Sequence, residues 1–486
     1  MSGDPGEGRA PLSPATLPQL PSGIERPGYD RSGLTPGILH FGPGAFHRAH
    51  QAVFVDDILA RDPRWAVSAV GLNSTAVAQA LAPQEGLYTL AVLAEEARFR
   101  VIGSLVERPT LHDRGLIEAR LGAPTTRLIT ATVTEKGYGL GRDGQLDREH
   151  PAIAADLRQP DRPRSYIGWL AHGLRLRRAA GAGGVTVLSC DNLAANGQRQ
   201  RRALLDYAAL VDPDLARWIK DEVRFPNTMV DAITPATDDR LRHRVAAALG
   251  LHDAWPVQRE PFSQWVIEDD FRGERPPFDE AGVHFVPSVE AFEWAKLRLL
   301  NGAHSTLAYV GLLLGHETVS EAMADPVLAA FVERLMREDI VPTLPPGAGL
   351  DPPAYISTIL ARFRNSAVRH SLWQIASDGS QKLPFRLVAT LVDARAAERP
   401  VGRLALPLAA WFRFLRLPRP PAPALVDPRA SALLALAASG DVDALIDESG
   451  LLPGLLRADP IVRSALREAY QALTGPGAIR EALFRG

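Results

Sequence analysis

The first half of the chain combines two apolar patterns. Short apolar runs bounded by turn-forming residues predict strands, and apolar positions that recur every three or four residues predict helices. The predicted strands cover residues 37–41, 65–70, 88–93, 99–106, 127–133 and 185–189. The predicted helices cover residues 48–60, 165–178 and 198–209. Strands that alternate with helices are typical of a parallel sheet covered by helices.

The second half follows the helical pattern almost throughout, because strand signals fade after about residue 289. Its predicted helices cover residues 291–314, 326–338, 354–363, 386–395, 404–415, 431–438 and 460–473. The fold class that follows is α/β, with a parallel-sheet domain over residues 36–288 and a mostly α-helical domain over residues 289–486. Residues 1–35 are rich in proline, glycine and serine without a period, which predicts a disordered tail.

The composition excludes several classes of partner. A formal net charge of -2 over 486 residues gives no strong field for nucleic acid or an anionic membrane. Cys190 is the single cysteine, so neither an intrachain disulfide nor a cysteine-based metal cluster is possible. The N-terminal residues lack the apolar core of a signal peptide, and the apolar stretch 307–315 is too short to span a bilayer. We therefore expect a cytoplasmic protein without nucleic-acid or membrane partners.

A glycine turn follows the first predicted strand, where a dinucleotide-binding fold holds the pyrophosphate. Glycine allows a tight turn and close approach of the backbone, and the next helix N-terminus supplies partial positive charge. The match to G-x-G-x-x-G is incomplete, because His47 stands at the third glycine position and Pro43 lacks an N–H. An ordinary strand–helix turn with a solvated helix start is the alternative. The candidate cofactor-binding residues are Gly42, Gly44, Ala45, Phe46, His47 and Arg48, the last to neutralise a phosphate.

The end of the second predicted strand bears on the choice of cofactor, since an acidic residue there would bind the ribose hydroxyls. Residues 70–75 contain neither a carboxylate nor an arginine. Asn73 is the candidate ribose ligand in this loop, which favours NAD and leaves NADP open.

The segment that ends at His304 contains the candidate chemistry. At about 100° per residue, Lys296, His304 and Asn301 fall at roughly 0°, 80° and 140° around a helix, on one face. Oxidation of an alcohol needs a base for the hydroxyl proton, and a desolvated lysine serves as one. It also needs neutral donors for the oxygen that gains negative charge, which an asparagine amide supplies. The alternative is a surface lysine beside a core asparagine and a hydrogen-bonded histidine.

Asn192 adds a second amide to this set. It follows the strand predicted over 185–189, and open α/β sheets bind ligands beyond the carboxyl ends of their strands. Asn192 and Asn301 together would form an oxyanion hole. Cys190 is expected to be a small buried residue rather than a nucleophile.

The motifs of the chain resemble the mannitol dehydrogenase family, the polyol-specific long-chain dehydrogenases, from Gly37 to about Leu473. The motifs that show this resemblance are HFGPGAFHRAHQA from His40, TVTEKGY from Thr132, SCDNLAANG from Ser189, FPNTMVDAITP from Phe225, QWVIEDDF from Gln264, KLRLLNGAHS from Lys296 and DGSQKLP from Asp378. The resemblance implies a Rossmann-type dinucleotide-binding domain over 36–288 and a helical substrate-binding and catalytic domain over 289–486. It also implies NAD as the cofactor and no metal.

The resemblance also implies roles for individual residues. Lys296 would be the general base. Asn192 and Asn301 would polarise the reacting oxygen. The other residues implied are His304, Asp231 and Lys382 for substrate binding and Glu135 for proton exit.

Lys136, Gln374 and the DGSQKLP motif resemble the fructuronate reductase branch of the family more than its mannitol branch. This branch implies reversible oxidation of D-mannonate to D-fructuronate. Cations would meet the carboxylate of such a substrate, or alternatively pair with acidic neighbours such as Asp378. The candidate cations are Lys382, Arg369, His370 and Lys136.

Two other functions stay open on the sequence. A dehydrogenase of mannitol or another polyol shares the helix chemistry, and turnover of fructose against fructuronate distinguishes it. A non-catalytic NAD-binding redox sensor would lack the lysine and the asparagines, which are present. We expect a monomer or a small homo-oligomer that acts on a small sugar acid or polyol.

Overall fold

The structure is a computed structural model that describes residues 8–141, 143–418 and 423–485. The chain divides into two compact units, Met1–Val289 and Glu290–Gly486, called here the N-terminal unit and the C-terminal unit. Within the described ranges, no helix has the length and apolar character needed to span a bilayer.

The strands lie in the N-terminal unit, in one five-stranded sheet and two three-stranded sheets. Five of the six predicted strands are confirmed to within two residues at each end, and the sixth is corrected below. The strands are β1 (Pro36–Phe41), β2 (Ala66–Val70), β3 (Tyr88–Val92), β4 (Arg98–Ile102), β5 (Leu105–Glu107), β6 (Leu128–Ala131), β7 (Thr186–Ser189), β8 (Thr228–Asp231), β9 (Val257–Arg259), β10 (Gln264–Glu268) and β11 (His284–Val286).

The five-stranded sheet has the order β5-β2-β1-β6-β7, and all its pairings are parallel. Phe41 at the end of β1 pairs with Val70 of β2 and Ala131 of β6, and Ala131 pairs with Ser189 of β7. These four strands therefore end at one level, so the loops that follow them share the carboxyl edge of the sheet. The predicted α/β class with a Rossmann-type parallel sheet is confirmed.

The predicted strand over 99–106 is wrong in one respect, because the chain forms two strands there. β4 pairs antiparallel with β3, whereas β5 pairs parallel with β2 in the main sheet. Between them, the Gly103 N–H donates to the buried Asp56 carboxylate at 2.8 Å. The Ser104 hydroxyl donates to the Ala52 carbonyl, also at 2.8 Å. These bonds satisfy polar groups where the chain leaves one sheet for another.

The predicted helix over 48–60 starts earlier and is broken in the middle. It begins directly after the glycine turn and breaks at His50, whose φ of -125° and ψ of -89° are not helical. The α-helices of the N-terminal unit are α1 (Ala45–Ala49), α2 (Gln51–Ile58), α3 (Ala76–Leu81), α4 (Arg114–Gly122), α5 (Thr134–Gly137), α6 (Pro151–Arg158), α7 (Tyr166–Ala179), α8 (Asn196–Val211), α9 (Pro213–Glu222) and α10 (Asp239–Leu249). Short 3₁₀ turns occupy Leu17–Gln19, Arg31–Gly33, Pro63–Trp65 and Phe278–Ala281.

The C-terminal unit is helical, as predicted, and packs around the long helix α12. Its α-helices are α11 (Glu290–Ala295), α12 (Asn301–Leu314), α13 (Val319–Ala324), α14 (Pro326–Arg334), α15 (Pro352–Arg364), α16 (Leu372–Ile375), α17 (Gly379–Leu383), α18 (Ala389–Ala396), α19 (Gly402–Phe414), α20 (Ala430–Ala438), α21 (Val442–Glu448), α22 (Gly454–Ala458), α23 (Pro460–Ala472) and α24 (Pro476–Arg485). Residues 302–312 of α12 are all buried. The described part of this unit also contains three π-helical segments: π1 (Lys296–Leu300), π2 (Leu335–Ile340) and π3 (Pro384–Val388). A 3₁₀ turn at Val341–Thr343 follows π2.

The predicted disordered tail over residues 1–35 is wrong for the described residues 8–35. Leu12 and Leu20 are buried in a cluster with apolar residues of β3, β4 and α10. The Leu12 N–H donates to the His252 carbonyl at 2.8 Å, and the Tyr29 hydroxyl donates to the Asp56 carboxylate. A few well-spaced apolar and aromatic side chains anchor this segment, and they form no periodic pattern that the sequence could reveal.

Replacing Leu12 by Ala is expected to destabilise the N-terminal unit by about 2–5 kcal/mol, because a buried leucine leaves a cavity. Thermal unfolding followed by circular dichroism should show a lower midpoint. Leu210→Ala is the matched control, since Leu210 is 41% exposed. If the Leu12 variant unfolds at the wild-type temperature, the N-terminal segment does not pack as described.

Candidate active site

The glycine turn after β1 has a backbone that other residues could not adopt. Gly42 has a φ of 90°, and a Cβ at this position would collide with the Thr132 carbonyl. The Thr132 hydroxyl donates to the Gly42 carbonyl at 2.6 Å, which fixes the turn against the loop after β6. Gly44 then caps α1, so the amides of Ala45 and Phe46 belong to the first turn, which has no intrahelical acceptors. This narrow turn fits a pyrophosphate group.

His40, which the sequence interpretation did not include, supports this turn from within the sheet. Its Nδ1 lies 2.7 Å from the Thr130 hydroxyl, and its Nε2 lies 3.2 Å from the Gly42 carbonyl. The His47 ring stacks on the His40 ring at 3.4 Å between centroids. Burial lowers the pKa of His40 to about 3 and the pKa of His47 well below its ordinary value. Both rings are therefore neutral packing groups at physiological pH.

The prediction that the Arg48 side chain neutralises a phosphate is wrong. Arg48 is 1% exposed, and its Nη1 donates to the Trp255 carbonyl at 2.6 Å. The guanidinium also lies over the rings of Tyr88 and Trp255. Arg48 thus joins α1 to the interior of the N-terminal unit, which leaves the backbone amides of Ala45 and Phe46 as the groups of the turn available to an anion.

The loop after β6 contains Glu135 and Lys136, both exposed, and is held by Asp191. The Asp191 carboxylate accepts the Val133 N–H at 3.1 Å, the Thr134 N–H at 2.9 Å and the Tyr138 hydroxyl at 2.6 Å. Burial raises the pKa of Asp191, although these donors act in the opposite direction by stabilising its anion. An aspartate two residues after a buried strand was the available signal for this anchor, and the sequence interpretation missed it.

Asn192 is exposed in the loop after β7, next to the buried Cys190. Burial raises the pKa of the Cys190 thiol well above its ordinary value, which agrees with the expectation that it is not a nucleophile. The loop is tied to β8 by Asn196, whose amide donates to the Asp191 carbonyl at 3.0 Å and the Thr228 carbonyl at 2.9 Å.

Two further candidate residues occupy strand ends in the N-terminal unit. Asp231 is the last residue of β8 and is buried. Asn73 is exposed in the loop after β2, at the same edge of the main sheet as the glycine turn. Both positions are compatible with the roles expected from the sequence.

In the C-terminal unit, a π turn changes the spacing of the central pair. The Asn301 N–H donates to the Lys296 carbonyl, five residues earlier, where an α-helix would bond to the fourth. Ordinary α spacing would separate these residues by about 140° around the helix. The wider turn reduces this separation, so Lys296 and Asn301 lie on the same side of the helix, as hydrogen-bonded residues one turn apart do. Lys296 is 9% exposed, so the predicted surface-lysine alternative does not hold.

His304 lies one turn beyond Asn301 on α12 and is 7% exposed. Its ring contacts Phe363 at 4.5 Å and His370 at 5.1 Å between centroids. Burial is the main reason that the pKa of His304 lies well below its ordinary value, and nearby His370 and Arg362 lower this pKa further. Its Nε2 has no hydrogen-bond partner among the described residues. A neutral imidazole with an unused nitrogen is suited to bind a substrate hydroxyl.

The residues expected to bind a carboxylate differ in burial and in their charged neighbours. Burial lowers the pKa of His370, which disfavours the cationic form expected for a carboxylate ligand. The Lys382 Nζ lies 3.8 Å from the Asp378 carboxylate, which is the acidic pairing that the sequence left open. Burial lowers the pKa of Lys382 as well. Arg369 is exposed.

Family comparisons cover both units of the chain. Residues 36–280 match the mannitol dehydrogenase Rossmann domain, and residues 288–474 match the mannitol dehydrogenase C-terminal domain. D-mannonate oxidoreductase of Escherichia coli is 39% identical over 94% of this chain and 96% of its own length. Polyol:NADP oxidoreductase of Gluconobacter oxydans is 39% identical over 82% of this chain and 84% of its own. Mannitol 2-dehydrogenase of Cereibacter sphaeroides is 41% identical over 80% and 83%.

Solved structures agree with the sequence relatives. A substrate-free D-sorbitol dehydrogenase superposes with a TM-score of 0.92 at 33% identity, covering 97% of this chain and 100% of the other. Pseudomonas fluorescens mannitol 2-dehydrogenase, in a ternary complex with NAD and D-mannitol, has a TM-score of 0.80 at 36% identity, covering 98% and 99%. The two matched domains and these relatives together show that the chain belongs to the mannitol dehydrogenase family of oxidoreductases.

Proposed function

We propose that this oxidoreductase interconverts D-mannonate and D-fructuronate with NAD. The observation that supports the chemistry best is the π turn, which puts the buried Lys296 and Asn301 on the same side of the helix. Support for the substrate comes from the E. coli D-mannonate oxidoreductase, whose similarity extends over nearly the whole of both chains. Lys136, Gln374 and the DGSQKLP motif point to the same branch.

In the direction of oxidation, the amine of Lys296 accepts the proton of the substrate hydroxyl. A lysine enclosed by protein serves as a base because desolvation disfavours the ammonium form. The amides of Asn192 and Asn301 donate to the oxygen as it gains negative charge, without adding a charge of their own. His304 orients a neighbouring hydroxyl through its unused nitrogen. In the reverse direction, the Lys296 ammonium returns the proton.

The glycine turn is the binding site proposed for the cofactor. The amides of Ala45 and Phe46 bind the pyrophosphate, with Gly42 and the N-cap Gly44 providing the close approach of the backbone. Asn73 binds the ribose. When bound, the nicotinamide supplies the hydride acceptor for oxidation and the hydride donor for reduction. The loop after β2 holds no cation for a 2′-phosphate, which favours NAD.

The remaining candidates serve the substrate and the proton. Asp231 and Lys382 line the substrate site in this proposal, with Arg369 and Lys136 as further candidate cations for the carboxylate. Glu135, exposed and 3.8 Å from Arg199, passes the proton to solvent.

A second candidate is a 2-dehydrogenase of mannitol or another polyol. The mannitol 2-dehydrogenase of C. sphaeroides is 41% identical to this chain, which is as similar as the D-mannonate enzyme. The same lysine and asparagines would perform that reaction, so substrate turnover must decide.

Lys296→Ala is expected to lower kcat by about 10²- to 10⁴-fold, the usual contribution of a general base. NADH affinity, measured by fluorescence titration, should stay within about twofold, because the glycine turn lies in the other unit. Lys220→Ala is the matched control, since Lys220 is an exposed lysine on α9. Wild-type turnover in the Lys296 variant would contradict the mechanism.

Asn192→Ala and Asn301→Ala are each expected to lower kcat by about 10²- to 10³-fold, the usual loss of one oxyanion donor. If both amides act on one oxygen, the double variant loses less than the product of the two single losses. Steady-state kinetics of the four proteins measure this coupling. Losses that multiply would mean that the two amides act independently.

The substrate is tested by assaying wild-type enzyme with D-fructuronate and D-fructose, each with NADH and NADPH. We expect the highest kcat/KM for D-fructuronate with NADH, because the proposed site combines cations for a carboxylate with a ribose loop without cations. A higher kcat/KM for D-fructose would favour the polyol dehydrogenase.

A further inference from the structure

Arg386 is a guanidinium near the Lys296–Asn301 pair for which neither the sequence motifs nor the proposed mechanism has a role. It lies in π3, and its Nη1 donates to the Ser305 hydroxyl of α12 at 3.1 Å. Within residues 8–141, 143–418 and 423–485, no carboxylate forms an ion pair with it. Some other arginines of this unit do form ion pairs, as Arg298 does with Asp393 at 2.6 Å.

The geometry of α12 places the Ser305 hydroxyl, which holds this guanidinium, one turn from Asn301. Taking about 100° per residue, Ser305 lies roughly 40° to one side of Asn301, and His304 lies roughly 60° to the other. Asn301 is therefore flanked by a neutral imidazole and by the hydroxyl that holds Arg386. Ser305 is also about 6 Å further along the helix axis, at 1.5 Å per residue.

Electrostatics agree with this placement. Arg386 is close enough to lower the pKa of both His304 and Lys382, and burial lowers the pKa of Arg386 itself. Lys382, four residues earlier, already has Asp378 as an acidic neighbour. Arg386 is thus a partly desolvated cation whose charge no protein group balances in the described ranges, and a bound anion would restore that balance.

We propose that Arg386 binds the carboxylate of a sugar-acid substrate and selects such acids over neutral polyols. This inference rests on the proposed function and assigns its carboxylate site. Ser305 fixes one nitrogen of the guanidinium, which leaves the other side of the planar group for two parallel bonds to a carboxylate. The ketone carbon of D-fructuronate is four bonds from its carboxylate, a separation that matches the offset between Asn301 and Ser305.

Arg386→Leu and Arg386→Lys test the proposal with D-fructuronate and D-fructose as a charged and a neutral substrate. For Arg386→Leu, kcat/KM for D-fructuronate should fall about 10- to 100-fold, mainly through KM, as expected when a charged hydrogen bond is lost. With D-fructose, kcat/KM should change by less than about twofold. Arg386→Lys should recover part of the loss, since it keeps the charge without the fork.

Arg364→Leu is the matched control, because Arg364 is exposed at the end of α15. Equal losses for both substrates would mean that Arg386 only positions α12, and an unchanged kcat/KM for D-fructuronate would mean that it does not bind the carboxylate. Either result overturns this inference alone. If wild-type enzyme reduces only D-fructose, the proposed function and the inference fail together. Should the leucine variant not fold, the comparison of Arg386→Lys with wild type decides.

Discussion

The bond from the Asn301 N–H to the Lys296 carbonyl is the constraint on which the candidate chemistry depends. It closes a π turn, a conformation that rarely lasts more than one turn and is common at functional sites. Arg298, within the same turn, contributes to holding it. The Arg298 Nη1 donates to the Thr343 carbonyl at 2.9 Å and pairs with Asp393 at 2.6 Å. A buried, multiply bonded arginine fixes the register of the turn, and this register determines which side chains share the face of Lys296.

In the N-terminal unit, buried polar groups hold the loops at the carboxyl edge of the sheet in place. Asp191 holds the loop after β6 through three donors, and Asn196 joins the loop after β7 to the start of β8. His40 supports the glycine turn after β1 in the same way. Because an unpaired polar group in a protein interior is costly, a network with all its partners present favours a single loop arrangement. The exposed residues between these anchors, such as Asn192 and Glu135, are thereby presented on a rigid edge.

The sequence predicted what depends on local periodicity and on motifs. The spacing of apolar residues predicted most strands of the main sheet and the helical second half. The G-x-G pattern after a strand predicted the glycine turn. It did not predict the π turn, because the apolar positions of 296–300 suit an α-helix equally well. It also misjudged Arg48, since nothing in a local pattern tells whether a guanidinium points to a ligand or to the Trp255 carbonyl. Contacts between residues distant in sequence decide such cases, as they do for the packing of Leu12.

In the proposed reaction, separate pieces of the C-terminal unit bind the two ends of the substrate. The reacting carbon is served by π1 and the start of α12, whereas Lys382 and Arg386 belong to α17 and π3. Such a separation is compatible with the names of two relatives of similar identity to this chain, one a sugar-acid enzyme at 39% and one a polyol enzyme at 41%. On this proposal, overall identity reflects the shared chemistry, while substrate class depends on a few cations and on whether each already has an acidic partner.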